Sequence, residues 1–433
     1  MASLVEPLTT AIKGKGPAAL LKQVGKIIRR FGLTVAKADR PLRRLSQILQ
    51  QFDCPATLPI TAVVLARNST VIGEYADQGI EFAVHGYRHI DYSQRSLEEQ
   101  VADFQRACRV FDDHGMHFEG FRCPYLRWND DTLTALGQTG FAYDSSSSLV
   151  WDVDEKHVTP RYRRVLGFYG SQPAADSPAL PYLDTANDLV RIPYCLPDDE
   201  ALVERLEWDS PAEMDQVWPE MLRQTHKRGE LLTLGLHPDR TEFCSNALIA
   251  TLEQALALTP AVWCARLSDI ALWWRGLCDA TVQVRSVGQD ALELIPDGPE
   301  GTTLLLRSLD VRTAASPWAG GYQRATQAPC VIHTRKRPFI GVSPGSSSIL
   351  LSFLRQQGYI VEVSSQPDAY TFYIERSSFS RREERPLLDH IEEADFPLAR
   401  LNRWPNGARG ALAVTGDIDV LTLWDYGLRF FGR

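Results

Sequence analysis

The chain has 433 residues, of which 44% are hydrophobic and 23% charged. This length suits two or three folded domains, and the composition excludes collagen-like and wholly disordered proteins. The 46 lysines and arginines against 54 aspartates and glutamates give a formal net charge of −8, which disfavours a general nucleic-acid binder. Eight cysteines without a CxxC pair, and no long uninterrupted apolar run, lead us to expect core thiols in a reducing, cytoplasmic compartment.

Basic and apolar residues interleave through residues 13–30 of an N-terminal segment, which we take as residues 1–40. The pattern predicts a basic amphipathic helix. Such a helix either packs on the main domain with its charged face in solvent or lies on an anionic membrane surface. Peripheral contact with the inner face of a membrane is therefore one of two interpretations.

From residue 41 to residue 275, short apolar runs alternate with amphipathic helical patterns, which is typical of strands and helices around a parallel sheet. The predicted strands are residues 60–66, 80–84, 120–122, 189–193, 231–236 and 261–265. The predicted helices are residues 42–52, 96–111, 132–137, 213–228 and 246–258. We therefore expect an α/β barrel or a layered sheet in this domain.

The pattern changes after residue 275. Short runs at residues 281–284, 291–295 and 303–306, separated by turn dipeptides, predict a small antiparallel β unit within residues 276–395. The polar residues 375–393 are interpreted as a linker or an exposed helix. Residues 396–433 form the last predicted segment, in which residues 408–415 predict a buried strand followed by an acidic loop.

Two histidines follow one of the predicted strands, in the run VHGYRH. His85 and His89 are four residues apart, so they would share one face of a helical turn and could bind one metal ion through two imidazoles. Local hydrogen bonding is the alternative. His237 directly follows the predicted strand 231–236, the position at which barrel enzymes carry catalytic groups. A lone histidine at this position is more often structural.

The next predicted strand after the histidine pair ends in the run FRCPY. Pro124 fixes the backbone of this loop, and Arg122 can hold a carboxylate through two parallel hydrogen bonds. Together with the histidine pair and His237, this run resembles the polysaccharide deacetylase family, also called the NodB-homology domain. Its His-x-x-x-His, Arg-x-Pro-Tyr and Leu-x-His motifs are matched in order, the last with His237 one place closer than usual. The resemblance implies a distorted (β/α) TIM-like barrel, with the smaller β-rich domain as an insert.

The paired aspartates of that family are missing at the start of the chain, where residues 34–40 offer only Asp39. Asp112 and Asp113 are rejected because they close a predicted helix and follow the histidine pair. The run TGDID near the C-terminus resembles the family's opening strand and supplies Asp417 and Asp419. This implies a circular permutation with residues 276–395 as the connecting insert. An acidic surface turn is the alternative.

The resemblance also implies a role for each matched residue. His85, His89 and Asp419 would be ligands of a divalent metal ion, zinc first, with cobalt or nickel as other choices. Asp417 would be the general base and His237 the general acid.

In the same scheme Arg122 would pair with the general base, and the backbone N–H of Tyr125 would stabilise an oxyanion. Trp128 and Pro124 are candidate substrate-binding residues, with burial in the core as the alternative for Trp128. Asp198 is a third candidate, with a helix N-cap as its alternative role.

The expected function is removal of an acyl group, N-acetyl above all, from a sugar, a polysaccharide or a lipid-linked glycan by a metal-dependent hydrolase. The alternative is a catalytically inactive deacetylase-like barrel that serves as a glycan-binding or assembly module. In that case Asp417 and Asp419 would lie far from the histidine pair. The sequence makes no prediction of the oligomeric state.

Overall fold

The computed structural model describes residues 30–151, 158–206 and 210–430. Residues 13–29, to which the predicted amphipathic helix and membrane contact belong, lie outside the described residues. Within those ranges, no helix is both long enough and apolar enough to cross a membrane.

The strands of the described residues are numbered in chain order. They are β1 (Ala56–Ile60), β2 (Glu81–Val84), β3 (Gly120–Phe121), β4 (Tyr143–Asp144), β5 (Ser148–Val150), β6 (Gln172–Pro173), β7 (Tyr182–Asp184), β8 (Leu189–Arg191), β9 (Tyr194–Leu196), β10 (Leu231–Gly235), β11 (Val262–Cys264), β12 (Thr281–Gly288), β13 (Ala291–Asp297), β14 (Leu304–Arg307), β15 (Asp310–Val311), β16 (Ala315–Pro317), β17 (Tyr322–Ala325), β18 (Cys330–His333), β19 (Arg337–Val342), β20 (Val361–Val363), β21 (Tyr370–Ile374), β22 (Leu398–Leu401) and β23 (Gly410–Thr415).

The α-helices are numbered in the same way. They are α1 (Ala36–Gln51), α2 (Ala62–Ala76), α3 (Leu97–Asp113), α4 (Asp130–Thr139), α5 (Pro160–Phe168), α6 (Pro211–Met214), α7 (Val217–Arg228), α8 (Thr241–Ala257), α9 (Leu267–Asp279), α10 (Ser348–Gln356), α11 (Glu384–Glu393) and α12 (Leu423–Phe430).

Twelve strands form one curled sheet with the order β6-β5-β9-β10-β23-β1-β2-β3-β4-β8-β7, and β11 also pairs with β23. The expected α/β fold is therefore present. Only residues 192 and 193 separate β8, which pairs with β4, from β9, which lies beside β10. β8 and β9 are thus nearly continuous in the chain, although they belong to opposite halves of the strand order. The sheet must curl to bring these two halves together. Its central strands are buried along their whole length, as expected for a parallel sheet covered by helices.

The strand that precedes the C-terminal acids lies in the middle of this sheet. All six residues of β23 are buried. It pairs in parallel with β10, from Leu231 opposite Ala411 to Gly235 opposite Thr415. On its other side it pairs in parallel with β1. β23 is therefore an internal strand of the curled sheet and not an edge strand.

Residues 281–401, here called the β-rich unit, contain three small sheets. Two are four-stranded and antiparallel, with the orders β12-β13-β18-β15 and β16-β17-β14-β22. The third has the order β20-β19-β21 and is parallel. The prediction of antiparallel strands is thus correct for two of the three sheets. The buried Glu230 beside β10 forms a salt bridge with Arg385 of α11, which joins the unit to the curled sheet.

Two predicted elements are wrong. Residues 60–66 are not a strand, because β1 ends at Ile60 and α2 begins at Ala62. The apolar run satisfies a helix equally well, since Val64, Leu65 and Ile72 are buried in the core. The prediction for residues 375–393 is wrong from residue 384 onward, because α11 buries an apolar face that packs in the core of the β-rich unit.

Candidate active site

Polar side chains converge at the carboxyl ends of four strands of the curled sheet. His85 follows β2, Arg122 follows β3, and His237 follows β10. Asp417 and Asp419 follow β23, which lies between β10 and β1. Carboxyl ends of neighbouring parallel strands share one edge of a sheet, so the loops after them meet there.

His85 and Asp419, together with the neighbouring His89, have the composition of a metal site. Nε2 of His85 lies 3.4 Å from Oδ1 of Asp419, and Nε2 of His89 lies 3.1 Å from Oδ2 of Asp419. The ligand atoms of the three residues all lie within 4.8 Å of one another. Nδ1 of His85 donates to the carbonyl oxygen of Arg122 at 2.8 Å. That hydrogen bond fixes the tautomer in which Nε2 carries the lone pair.

The histidine pair is not on a helical turn as predicted. Residues 85–90 form an irregular loop after β2, and the two rings meet with their centroids 5.2 Å apart. Gly86 makes this loop possible because its φ is +80°, and a Cβ there would lie 2.3 Å from the hydroxyl oxygen of Tyr92. The spacing of four residues therefore brings the imidazoles together through a glycine turn.

Arg122 connects the loop after β3 to the acids after β23. Its guanidinium is fully buried and donates from Nη1 to Oδ1 of Asp417 at 2.9 Å and to the hydroxyl of Thr415 at 2.8 Å. Its Nε and Nη2 donate to the carbonyl and hydroxyl oxygens of Ser145. All three nitrogens are thus used, which fixes the orientation of the Asp417 carboxylate. The other oxygen of Asp417 lies 3.7 Å from Nε2 of His85.

The acidic loop comes very close to the end of β10. A Cβ on Gly416 would lie 1.7 Å from the carbonyl oxygen of Leu236, so no other residue fits there. This contact places Asp417, one residue later, on the same side as His237, one residue after Leu236.

His237 is held by two buried charged groups. Its Nδ1 donates to Oδ1 of Asp199 at 2.8 Å, and Nη1 of Arg240 donates to Oδ2 of the same carboxylate at 2.7 Å. Burial by itself would lower the pKa of His237, but the charge and hydrogen bond of Asp199 raise that pKa to about 10. Burial opposes ionisation of Asp199 as well, yet the positive charges of His237 and Arg240 hold its pKa below the usual range. The imidazole is therefore protonated at neutral pH.

Asp198 and Asp199 have different environments although they are adjacent. Asp198 is buried, and its carboxylate accepts hydrogen bonds from the hydroxyl of Tyr194 and from the N–H of Ala201, each at 2.8 Å. The contact with Ala201 is that of a capping residue. The sequence reasoning named Asp198 as a candidate substrate-binding residue but missed Asp199 as the partner of His237. It also missed Arg240, for which the sequence offers no signal.

The remaining predicted residues surround this group. The ring of Tyr125 meets the ring of His89 edge-on, with the centroids 4.3 Å apart, and its backbone has φ +59°. Pro124 is buried at the start of the same turn. Trp128 lies slightly farther along the loop, with the guanidinium of Arg191 4.3 Å from the centre of its ring.

The donor set of His85, His89 and Asp419 fits a catalytic divalent ion. Two neutral imidazoles and one carboxylate are a known ligand combination for zinc, and they leave coordination positions for water. Asp198, Asp199 and His237 are also close together. Their oxygens already accept hydrogen bonds within the protein, Asp199 from His237 and Arg240 and Asp198 from Tyr194 and Ala201, so these hydrogen bonds account for the cluster.

Parts of this chain are similar to known proteins. Residues 39–143 match the family model for polysaccharide deacetylase. A peptidoglycan deacetylase-like protein from Gibberella zeae is 38% identical over 73 residues, which are 17% of this chain and 22% of that protein. A chitooligosaccharide deacetylase from Sinorhizobium fredii is 30% identical over 112 residues, 25% of this chain and 49% of that protein. The crystal structure of a probable polysaccharide deacetylase from Pseudomonas aeruginosa covers 54% of this chain and 73% of its own, at 22% identity and a TM-score of 0.44.

The matched segments span at most about half the length of these two curated relatives. The family model and both relatives support a polysaccharide deacetylase domain in this chain. The residues matched by the family model include the histidine pair and Arg122. His237, Asp417 and Asp419 lie beyond that segment.

Proposed function

We propose that this chain is a metal-dependent hydrolase that removes an acyl group, N-acetyl above all, from a sugar, a polysaccharide or a lipid-linked glycan. One observation carries the proposal: the Asp419 carboxylate lies 3.4 Å from His85 and 3.1 Å from His89. The alternative of an inactive barrel required these groups to be far apart. The matches to deacetylases support hydrolysis of an amide bond.

In this proposal His85, His89 and Asp419 hold one divalent ion, with zinc the first choice and cobalt or nickel as others. Such an ion, when bound, supplies Lewis acidity toward the scissile carbonyl and a water acidic enough to attack near neutral pH.

The chain's own residues move the protons. Asp417, held in place by Arg122, accepts the proton of the attacking water. The water oxygen bonds to the carbonyl carbon, and the backbone N–H of Tyr125 is the proposed donor to the resulting oxyanion. The carbon–nitrogen bond then breaks, and protonated His237 gives its Nε2 proton to the leaving amine. Asp199 keeps the imidazole charged until that step.

We also propose that the chain is circularly permuted relative to the family. In the family's usual order the strand with the acids comes first. Here β23 comes last, after the β-rich unit, and inserts between β10 and β1. The insertion of a late strand beside the first strand of the sheet supports this reading, with the β-rich unit as the connecting insert.

The experiment measures bound metal and acetate release from N-acetylated chitooligosaccharides. We expect about one divalent ion per chain in the wild type, and loss of both the ion and acetate release in His85→Ala. His114→Ala is the matched control, since His114 is an exposed residue at the end of α3. Equal metal content and equal acetate release in wild type and His85→Ala would exclude the proposed site.

Asp417→Asn separates the proton-transfer role from metal binding. This variant should keep its metal and lose acetate release by a factor of about 10²–10⁴, the usual contribution of a general base. Asp112→Asn, which changes an exposed acid at the end of α3, is its control. Full activity in Asp417→Asn would refute the assignment.

A further inference from the structure

A cavity of about 480 Å³, here called the cationic cavity, lies at the end of the curled sheet opposite the candidate active site. Its lining includes Glu230, which directly precedes β10, and Arg409, which directly precedes β23. His237 and Asp417 follow the other ends of the same two strands. At a rise of about 3.3 Å per residue, the five residues of β10 separate the two ends by roughly 16 Å. The cationic cavity is therefore distinct from the candidate active site.

Three parts of the chain line the cationic cavity. The C-terminal end of α7 contributes Lys227 and Arg228, and the β-rich unit contributes Trp318. Arg403 and Arg409 come from the segment that connects the unit to β23. A ligand bound in this cavity would thus contact the curled sheet's helix layer and the β-rich unit together.

Basic side chains outnumber acidic ones in the lining. The six basic residues are Lys227, Arg228, Arg385, Arg400, Arg403 and Arg409, and the four acidic residues are Glu230, Asp389, Glu392 and Glu393. Glu230 forms a salt bridge with Arg385, and Glu392 forms one with Arg400. Asp389 and Glu393 are exposed to solvent. Four of the six cations are therefore left without a buried carboxylate of their own.

Two of these cations have N–H groups to spare. The guanidinium of Arg228 makes one hydrogen bond with the described residues, from Nη1 to the carbonyl oxygen of Ala174 at 2.9 Å. That of Arg409 also makes one, from Nη2 to the carbonyl oxygen of Lys227 at 2.7 Å. A guanidinium carries five N–H donors, so most of these donors remain for a ligand. The C-terminal end of α7 supplies only about half a negative charge, which does not balance these cations.

Arg403 has the least favourable surroundings of the group. It is only 4% exposed, its two hydrogen bonds are long, at 3.4 and 3.5 Å, and its nitrogen Nη2 lies 3.7 Å from Glu392. Burial and the charge of Arg400 lower the pKa of Arg403, and burial lowers the pKa of Arg409. Both groups still stay protonated at neutral pH, since the ordinary pKa of arginine is above 12. The site thus holds desolvated positive charge that an anion would stabilise.

The number and kind of these cations favour a phosphate group over a carboxylate. A phosphate carries up to two negative charges and several acceptor oxygens, and the planar fork of arginine binds such oxygens in pairs. The cavity is larger than a phosphate ion needs, and the half-buried ring of Trp318 lies beside Arg409, whose guanidinium is 6.0 Å from the ring centre. A sugar ring attached to the phosphate would have this aromatic wall to contact.

We propose that the cationic cavity binds the phosphate group of a small molecule, either inorganic phosphate or an organic phosphate such as a sugar phosphate. This site is separate from the proposed metal ion and does not depend on the proposed deacetylase function. Because its cations belong to different parts of the chain, a bound phosphate also holds those parts together. Phosphate should therefore raise the melting temperature of the full chain more than chloride does at equal ionic strength.

Calorimetric titration of the full chain with inorganic phosphate and with glucose 6-phosphate tests the proposal, with glucose as the neutral control. We expect saturable binding of about one phosphate compound per chain and no binding of glucose. Arg409→Gln should weaken phosphate binding at least about tenfold, as expected when one hydrogen bond to a charged group is lost. Arg223→Gln removes the same charge from an exposed position of α7 outside the cavity and is the matched control. No saturable binding by the wild type, or equal affinity in both variants, would overturn the inference.

Further variants identify the place of binding and the source of the phosphate. If Arg409→Gln does not fold, Arg228→Gln gives the same comparison. His85→Ala removes a proposed metal ligand and should leave phosphate binding unchanged; loss of binding in this variant would assign the anion to the metal centre and overturn the inference. Trp318→Ala should weaken binding of glucose 6-phosphate alone if the ligand is an organic phosphate. Equal affinity of the wild type for the two phosphates, unchanged in Trp318→Ala, would identify inorganic phosphate as the ligand.

Discussion

Replacement of Asp199 by asparagine tests whether this carboxylate keeps the proposed general acid protonated. Asp199 makes the hydrogen bonds of 2.8 Å to His237 and 2.7 Å to Arg240, and its charge raises the pKa of His237 to about 10. Other charged groups near the imidazole are Arg240, which lowers this pKa, Asp417, which raises it, and Asp198, whose carboxylate lies within 4.8 Å. Without the Asp199 charge, burial and Arg240 should bring the pKa to its ordinary value of 6.5 or below.

The expected loss of rate follows from this change in the pKa of His237. At pH 8 an imidazole of pKa 6.5 is about 3% protonated, against nearly full protonation in the wild type. The rate at pH 8 should therefore fall at least about 30-fold, and up to about 10²–10⁴-fold if the orientation of the ring is also lost.

The assay is the pH dependence of kcat and kcat/KM for acetate release, with metal content measured in parallel. The alkaline limb of the profile should move to lower pH in Asp199→Asn while the bound metal is retained. Asp113→Asn is the control, because Asp113 is an exposed acid at the end of α3. An alkaline limb that stays in place in Asp199→Asn would refute the reasoning.

Three other predictions follow from the structure. Asp419→Ala should lower affinity for zinc at least about tenfold, measured by competition with a chelator, and unchanged affinity would remove this residue from the ligand set. Burial opposes ionisation of Glu392, but the charges of Arg400 and Arg403 lower the pKa of Glu392 to about 2. The ionised carboxylate therefore stabilises the folded state fully above pH 4.5, and this stabilisation is lost as the pH falls toward 2. Glu392→Gln should therefore lower the free energy of unfolding in urea by roughly 1–3 kcal/mol at pH 7, with a difference that shrinks in acid; a constant difference would contradict this cause. Gly86→Ala should destabilise the fold by about 1–3 kcal/mol and weaken metal binding, because of the positive φ and the hydroxyl 2.3 Å away; an unchanged melting temperature would contradict it.

Much of the sheet could be predicted because local pattern and tertiary role agree. The apolar runs at residues 80–84, 120–122 and 231–236 correspond to β2, β3 and β10, and each is followed by a polar side chain of the site. The helix α2 could not be predicted from its first residues. The run from Ile60 to Ala66 is rich in β-branched and apolar residues. From Ala62 onward it is helical because of its burial against the sheet, which periodicity does not reveal.

The amino-acid sequence alone shows which chemical groups are available and which of them are close along the chain. The spacing of His85 and His89, and the polar residues that directly follow the strands, can be read without coordinates, because strands and turns depend on short-range preferences. The resemblance to deacetylases added Asp417 and Asp419 as candidate partners. It did so through the similarity of the run TGDID to the family's opening strand and not through any distance.

Which distant groups meet depends on the folded chain. The insertion of β23 between β10 and β1 depends on strand pairing across more than 350 residues of chain, and no local pattern encodes that choice. The same holds for the partner of His237. Asp198 and Asp199 are equivalent in sequence, but Asp198 turns toward Tyr194 while Asp199 turns toward the imidazole. The direction of a side chain is set by the packing around it, so the charge state of the proposed acid could be known only from the fold.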